Sequence, residues 1–189
     1  MSPRKSSAQD LTREMIINEA RIQFIEKDFN QVSMRSIAKQ IGCTHGALYY
    51  HFSNKADLFY TIIEEYFLVL NDLIDEIIKG PGDNLMKLRS VFLGFIEFGL
   101  NHQSQYEMMF APRNGEVDGL SQEAASLSYQ KLAEAIQSLS PNDLLISEIY
   151  SAFMSLHGFV SHYRGRVKHF GEAKEAASSH VNFIIKALT

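Results

Sequence analysis

The sequence predicts an all-α protein with a small helical head and a larger helical body. Three observations predict it: apolar residues recur at helical spacing, the 189 residues include four prolines, and no stretch alternates apolar and polar residues as a strand does. No proline lies between Pro3 and Pro81, and the glycines before Gly80 are Gly42 and Gly46. The length allows one large or two small domains around a buried core.

The first sixty residues predict three short helices. The first, of roughly 16 residues, has an apolar stripe and is followed by a second one with Ser33 at its N-cap. The glycine at Gly42 indicates a tight turn, and the third helix is expected over residues 44–51. The two stripes are formed by Ile16, Ala20 and Phe24 and by Ile37, Ala38 and Ile41.

Residues 55–79 predict one long helix with a wide apolar face, on the order of 35 Å in length. The cluster Gly80, Pro81 and Gly82 ends it. Four later helices are expected at 85–101, 120–139, 143–164 and 173–188, with breaks at 111–115, 138–143 and 165–171. The predicted organisation is a head at 1–54, a connecting helix at 55–79 and a body at 80–189.

Composition places the chain among ordinary globular proteins. It is 46% hydrophobic and 21% charged with a single cysteine, which excludes disordered and disulfide-stapled classes. The polar start over residues 1–9 lacks the apolar run of a signal peptide, and no apolar run is long enough to cross a bilayer. We therefore expect a cytoplasmic protein with no membrane partner.

The net charge of −4 conceals an asymmetry. Residues 1–60 carry eight Lys and Arg against six Asp and Glu, whereas the remainder has a net charge of −6. Opposite signs suggest two tasks, with any anion-binding task in the head.

The three short helices have the outline of a helix-turn-helix, in which the second helix of the motif lies in the major groove of DNA. The small, polar first turn of the third helix allows a close approach to base edges. Leu48 and Phe52 are expected to point inward, which leaves Tyr49, Tyr50 and His51 outside. Phenol and imidazole groups donate hydrogen bonds to phosphate oxygens, and Lys55 follows them.

The stretch from Ser33 to Phe59 reads SMRSIAKQIGCTHGALYYHFSNKADLF and closely resembles the DNA-binding domain of the tetracycline-repressor (TetR) family of bacterial transcription regulators. The similarity covers residues 12–66, and the motif itself spans 33–51. Asp28 stands where the family usually has glycine, and Cys43 replaces a usual valine and is expected to be buried.

The resemblance implies a set of DNA contacts. Arg35 matches a position that reaches a base or phosphate, Ser33 caps its helix near phosphate, and His45 is the foremost reader of base edges. Arg4 and Lys5 match a tail that enters the minor groove in some relatives. The full set is Ser33, Arg35, Thr44, His45, Gly46, Ala47, Tyr49, Tyr50, His51 and Lys55.

The resemblance also implies a body that dimerises and holds a small-molecule effector. The effector site is expected at Phe92, Phe95, Tyr106, Met109, Phe110, Phe153 and His157, although ordinary core packing would use the same residue types. The last two helices have more apolar surface than one helix contact needs. A homodimer interface is expected at Ile146, Tyr150, Met154, Val181, Ile184 and Leu188.

The sequence offers no pattern for a metal site, a cofactor or catalysis, since it contains no HExxH, paired-cysteine, nucleophile-elbow or phosphate-loop motif. The hypothesis is a homodimeric, non-enzymatic repressor that a small molecule releases from a palindromic operator in double-stranded DNA. Two alternatives stay open: a helical binding protein or enzyme with a helix-turn-helix-like head, and a DNA-binding regulator controlled by a protein partner.

Overall fold

The computed structural model describes residues 11–27, 29–110 and 118–189, with side chains left out over 118–122. Within these ranges the chain forms nine α-helices and two short 3-10 turns and no strand, which confirms the all-α prediction. The expectations for Arg4, Lys5, Asp28 and the break at 111–115 lie outside the described residues.

The chain divides into two compact units, Met1–Ile62 and Ile63–Thr189. The first unit contains α1 (Arg13–Glu26), α2 (Met34–Ile41), α3 (His45–Leu48) and the first turns of α4 (Lys55–Lys79). A 3-10 turn at Phe29–Gln31, which the sequence did not predict, precedes α2. The core of this unit includes Ile16, Ala20, Ile37, Leu48, Leu58 and Ile62, all fully buried.

Local sequence explains where the first helices begin. The hydroxyl of Thr12 accepts a hydrogen bond from the Met15 N–H at 3.2 Å and so caps α1. Ser33 caps α2 as predicted, because its hydroxyl accepts from the Ser36 N–H at 3.0 Å and Ser36 accepts from the Ser33 N–H at 3.1 Å. The helical spacing of the apolar residues then turns both stripes toward one shared core.

The second unit contains the rest of α4 together with α5 (Asn84–Asn101), α6 (Gln103–Phe110), α7 (Asp118–Leu139), α8 (Ile146–Tyr163) and α9 (Lys174–Leu188). A second 3-10 turn lies at Phe170–Glu172. The sequence did not predict α6 as a separate helix, because only His102 interrupts the helical pattern before it. The long helix at 55–79 was predicted with the bounds that the structure shows.

Helix α5 is the centre of this unit, since it packs against α6, α7, α8 and α9. Its apolar side chains are buried on almost every side, from Leu88 to Leu100. Gly99 allows α8 to approach closely, because a Cβ there would lie 2.6 Å from Cγ1 of Val160. The close crossing of α5 and α8 brings the side chains of α6 and α8 together in one aromatic cluster.

Candidate nucleic-acid interface and effector site

The turn between α2 and α3 has the conformation that a helix-turn-helix requires. Gly42 adopts φ +80°, and its N–H bonds to the carbonyls of Ala38 and Lys39. The Cys43 N–H also bonds to the Ala38 carbonyl, at 3.0 Å. This left-handed residue ends α2 and redirects the chain into α3, as predicted for Gly42. Cys43 itself is half-buried, so the expectation of full burial was wrong.

Helix α2 is also tied to α1 by polar contacts. The hydroxyl of Ser36 donates to the side-chain carbonyl of Gln23 at 2.8 Å, and Gln23 is buried. The Gln23 amide in turn donates to Glu19 at 2.7 Å. These bonds satisfy a buried amide and fix the orientation of α2, which carries Arg35 on its exposed side.

Helix α3 is shorter than predicted. Its α-helical part covers His45–Leu48, and Tyr49–His51 continue as turns instead of helix, so the predicted extent of 44–51 was wrong at its end. The N–H groups of His51 and Phe52 both bond to the Leu48 carbonyl. Shared hydrogen bonds are common at the ends of helices. Thr44 has the extended conformation of an N-cap, but its side chain makes no capping hydrogen bond.

Burial divides this segment into an inner and an outer side, as predicted. Leu48 and Phe52 are buried, whereas Tyr50 is 93% exposed and Tyr49 is 46% exposed. The ring of His45 meets the ring of Tyr49 edge to face at 5.0 Å between centroids. Other predicted contact residues are exposed or half-exposed in the same unit: Ser33, Arg35, Thr44, Gly46, Ala47 and His51.

Lys55 differs from the rest of the predicted set. Its ammonium group donates to the carbonyls of Phe29 at 2.8 Å and Val32 at 3.0 Å, inside the unit. The same group lies 4.0 Å from the centroid of the Phe29 ring. Burial lowers the pKa of this ammonium. The structure therefore directs Lys55 to the chain that enters α2 and not to the outer surface.

The predicted effector residues form an aromatic cluster in the second unit. The Tyr106 hydroxyl lies 2.6 Å from Nδ1 of His157, and the Phe110 ring packs against both rings, at 4.6 Å and 5.1 Å between centroids. Phe95 and Phe153 meet edge to face at 6.2 Å. The structure thus brings five of the seven predicted residues together.

Phe92 and Met109 are buried on α5 and α6, and the ring contacts of the cluster do not include them. The sequence analysis missed Tyr129, whose ring meets that of Phe153 edge to face at 5.3 Å, and Phe67, which meets Phe110 at 5.5 Å. Their aromatic character on helices facing α5 was the available signal.

A cavity of about 10 Å³ lies beside this cluster, which is room for about one water molecule. Its wall is mostly apolar and aromatic, and its residues with a polar side-chain atom are Ser128 and Tyr129. The Ser128 hydroxyl donates to the side-chain carbonyl of Asn71, outside the wall, at 2.7 Å. The lining residues are Phe67, Leu70, Ile74, Phe95, Phe110, Ala125, Ser128, Tyr129, Leu132 and Phe153.

Proton positions in the Tyr106–His157 pair follow from burial. Burial raises the pKa of Tyr106 far above its usual range, so the hydroxyl keeps its proton and can donate a hydrogen bond to Nδ1 of His157. The tautomer that accepts this bond carries its hydrogen on Nε2, which lies 3.5 Å from the Ser161 hydroxyl. Burial, together with the charge of Arg164, lowers the pKa of His157.

A pH dependence follows from this depressed pKa. In the unfolded chain the histidine pKa is about 6.5, so the unfolded state binds a proton at pH values where the folded imidazole is still neutral. The free energy of unfolding therefore rises with pH between the folded and the unfolded pKa. We expect the contribution of His157 to be complete above about pH 6.5 and to be lost as the pH falls. Urea unfolding of the wild type and His157→Asn, compared between about pH 7.5 and 5, measures it. Parallel pH profiles for the two proteins would contradict it.

Three residues of the predicted dimer interface expose little surface. Val181, Ile184 and Leu188 on α9 are buried within their own unit, and Ile184 and Leu188 also line the groove between α8 and α9. The physical reason is that α9 turns this stripe toward α5 and α8, against which it packs. The outward apolar residue of α9 is Phe183, which is 68% exposed.

The other three predicted interface residues are exposed along one side of α8: Ile146, Tyr150 and Met154, spaced four residues apart. Beside them, α8 and α9 border a groove of about 290 Å³. Its α8 wall consists of Ser147, Ser151 and Ser155 with Ala152 and Glu148, and Phe183 stands at its α9 wall.

Among the described residues, no group of histidine, cysteine or acidic side chains has the arrangement of a metal site. In the same part of the chain, no helix combines the length and apolarity needed to span a membrane.

The N-terminal part of the chain is similar to known regulatory proteins. Residues 16–62 match the tetR family of bacterial regulatory proteins. The HTH-type transcriptional regulator AcrR of Shigella flexneri is 33% identical over 106 residues, which are 56% of this chain and 49% of that protein. The chain therefore spans about half the length of this curated relative.

Solved structures match nearly the whole chain in fold. A TetR/AcrR-family regulator from Thermobifida fusca has a TM-score of 0.68 at 17% identity, covering 94% of this chain and 98% of its own. FadR from Bacillus subtilis, solved in complex with stearoyl-CoA, has a TM-score of 0.71 at 18% identity, with coverage of 94% and 97%. Residues 16–62 thus match the N-terminal domain of the tetR family, and the helical fold of the chain is that of solved TetR/AcrR-family structures.

Proposed function

We propose that this protein is a DNA-binding transcription regulator, most simply a repressor, that uses the outer side of α2 and α3 to bind a palindromic operator. One observation carries the proposal: Tyr50 is 93% exposed directly beside the buried Leu48. A large aromatic side chain held outward on a fixed helix end contributes no packing to its own unit. It is therefore available to donate its hydroxyl to a phosphate.

The side chains near Tyr50 suit the two parts of duplex recognition. The first turn of α3 carries Thr44, Gly46 and Ala47, whose small size allows α3 to approach base edges closely. His45 offers ring nitrogens to a base, and the edge of Tyr49 restricts its ring. Arg35 on α2 supplies a charge for phosphate or for a guanine edge.

The similarity to TetR-family proteins supports the regulator over the enzyme alternative. TetR-family proteins are transcription regulators and not enzymes, and the chain shares their N-terminal domain and fold.

We propose that the protein acts as a homodimer through α8 and α9. The side of α8 that carries Ile146, Tyr150 and Met154 is apolar and exposed, and Phe183 stands beside a groove with a serine wall. A two-fold axis would place Phe183 of each copy against the small side chains of the other, which is a self-complementary contact. Pairing both helices would form a four-helix interface and present two copies of α3 to successive half-sites.

We propose that a small apolar effector binds in the aromatic cluster. The described cavity wall bears no charged side chain, and its polar side chains are Ser128 and Tyr129. Because the cavity holds about one water molecule, an effector has to displace rings such as those of Phe110 and Phe153. Binding would then favour a second conformation, which is the requirement for releasing DNA. FadR of Bacillus subtilis, bound to stearoyl-CoA, is a precedent for an acyl ligand on this fold.

The partner-controlled alternative keeps the DNA-binding part of the proposal and replaces the effector by a protein. The small volume of the aromatic cavity favours it, since a partner that binds the surface needs no enlarged cavity.

The DNA-binding proposal is tested with a duplex that the wild-type protein selects from a pool of random sequences. We expect Tyr50→Ala to weaken binding about tenfold, because it removes a hydrogen bond to a phosphate. Arg35→Met is expected to reduce the slope of log K against log salt by about 0.9 for each protomer. Fluorescence anisotropy across a salt series measures both.

Lys186→Met, at an exposed position on α9, is the matched control for charge and should leave affinity and slope unchanged. Wild-type affinity and slope in both Tyr50→Ala and Arg35→Met would remove the DNA-contact assignment.

A further inference from the structure

We propose that Lys55 is a positioning residue of the DNA-binding unit: its ammonium group holds the chain segment that enters α2, and it does not bind a phosphate. The inference concerns regulator action and so rests on the proposed function for its DNA-binding part. The geometry itself is independent of DNA.

Lys55 makes three contacts with one short segment. Its Nζ donates to the Phe29 carbonyl at 2.8 Å and to the Val32 carbonyl at 3.0 Å, and it lies 4.0 Å from the Phe29 ring centroid. An ammonium group has three N–H donors, so two are committed and the third is next to a π face. Charge-assisted bonds of this kind are stronger than neutral ones.

The segment between Phe29 and Val32 is held by the core as well. The Phe29 ring lies edge to face with Phe59 at 5.0 Å and stacks near Phe24 at 5.8 Å. Val32 is buried. The Lys55 ammonium and the apolar contacts of Phe29 and Val32 together connect the start of α4 to the turn after α1.

This segment leads directly into the part of α2 that faces DNA in the proposal. Val32 precedes Ser33, the N-cap of α2, and the Ser33–Ser36 capping box continues to Gln23 on α1. The first exposed cation of α2 is Arg35, two residues beyond the cap. Lys55 thus fixes one side of the α2 start and Gln23 fixes the other.

Movement of Lys55 to a phosphate would separate it from these carbonyls. The two acceptors would lose charge-assisted bonds, and the Phe29 ring would lose its cation. A second cation of this unit is used in the same internal way: Arg13 donates to the Thr61 hydroxyl at 3.2 Å and lies 4.8 Å from the Phe52 ring centroid. Two of the cations in the first unit therefore make internal contacts.

The test compares Lys55→Met, which keeps the aliphatic stem, with Lys39→Met, an exposed control on α2. In the DNA-free protein, amide hydrogen exchange of residues 29–36 is expected to become about tenfold faster or more in Lys55→Met, and to stay unchanged in the control. On the selected duplex, Lys55→Met should bind more weakly with the wild-type salt slope, because the bound state makes the same phosphate contacts. Unchanged exchange, or a slope smaller by about 0.9 per protomer, would overturn the inference.

A second measurement needs no variant and covers the case in which Lys55→Met does not fold. The side-chain ammonium of Lys55 is observed by nitrogen-15 NMR in the wild-type protein, free and with the duplex. A signal that the duplex leaves unshifted supports the inference, and a phosphate coupling to the ammonium overturns it. If the wild type selects no duplex, the proposed function fails, while the exchange measurement still decides the role of Lys55 in the free protein.

Discussion

Replacing Leu48 by alanine is expected to lower the free energy of unfolding of the first unit by about 2 to 5 kcal/mol, because it empties a fully buried site. Leu48 is 0% exposed and is the buried residue of α3. A helix of one turn has little intrinsic stability, so its position depends on this anchor. We expect α2, which carries Arg35 and Lys39, to stay helical while α3 loses its packing against the core.

Leu48→Ala should also abolish duplex binding, because the exposed side chains of α3 lose their fixed orientation. Urea unfolding followed by circular dichroism gives the stability change, and anisotropy with the selected duplex gives the binding change. Tyr50→Ala is the matched control: its side chain is 93% exposed, so it should alter binding with a stability change within about 0.5 kcal/mol. Equal stability losses in the two variants would contradict the assignment of inner and outer sides.

Replacing Phe183 by glutamate is expected to raise the dimer dissociation constant by about 30-fold or more, because an aromatic residue central to an interface commonly contributes at least ~2 kcal/mol. A two-fold interface contains the residue twice, and each glutamate would place a negative charge in the partner's groove, which Glu148 also lines. Phe183 is 68% exposed in its own unit, so the substitution leaves the monomer core intact. Sedimentation equilibrium measures the dissociation constant.

Met86→Glu is the control for this experiment, because Met86 on α5 is 61% exposed and apolar but lies outside α8 and α9. Dissociation that follows Met86→Glu and not Phe183→Glu would place the interface elsewhere. A monomeric Phe183→Glu protein should also bind the selected duplex more weakly, since a single α3 reads only one half-site.

Periodicity and breaker residues predicted most of the helices. The bounds of the helix at 55–79 follow from its continuous apolar face and from the Gly80–Pro81–Gly82 cluster after it. The N-cap of α2 follows from the hydroxyl of Ser33, and its left-handed C-cap follows from the missing side chain of Gly42. The inner and outer sides of residues 48–52 follow from side-chain spacing.

Other features required the folded chain. The end of α3 at Leu48 is not signalled by residue type, because the tyrosines and the histidine that follow are all tolerated within a helix. Packing of α9 against α5 and α8 decides that Val181 and Ile184 turn inward while the neighbouring apolar Phe183 stays outside. Tyr129 and Phe67 joined the aromatic cluster from helices distant in sequence.

The sequence by itself determined the helical class, the helix-turn-helix with its cap and its turn glycine, and the outward direction of Tyr50. These depend on interactions among residues a few positions apart, which spacing and residue type express directly. Only the tertiary structure decided that Lys55 binds the Phe29 and Val32 carbonyls, that Phe183 and not Val181 faces outward, and that Tyr106 meets His157. The contacts of Lys55 and Tyr106 join residues more than twenty positions apart, and the direction of Phe183 depends on which side of α9 packs against α5 and α8. Tertiary packing decides all three.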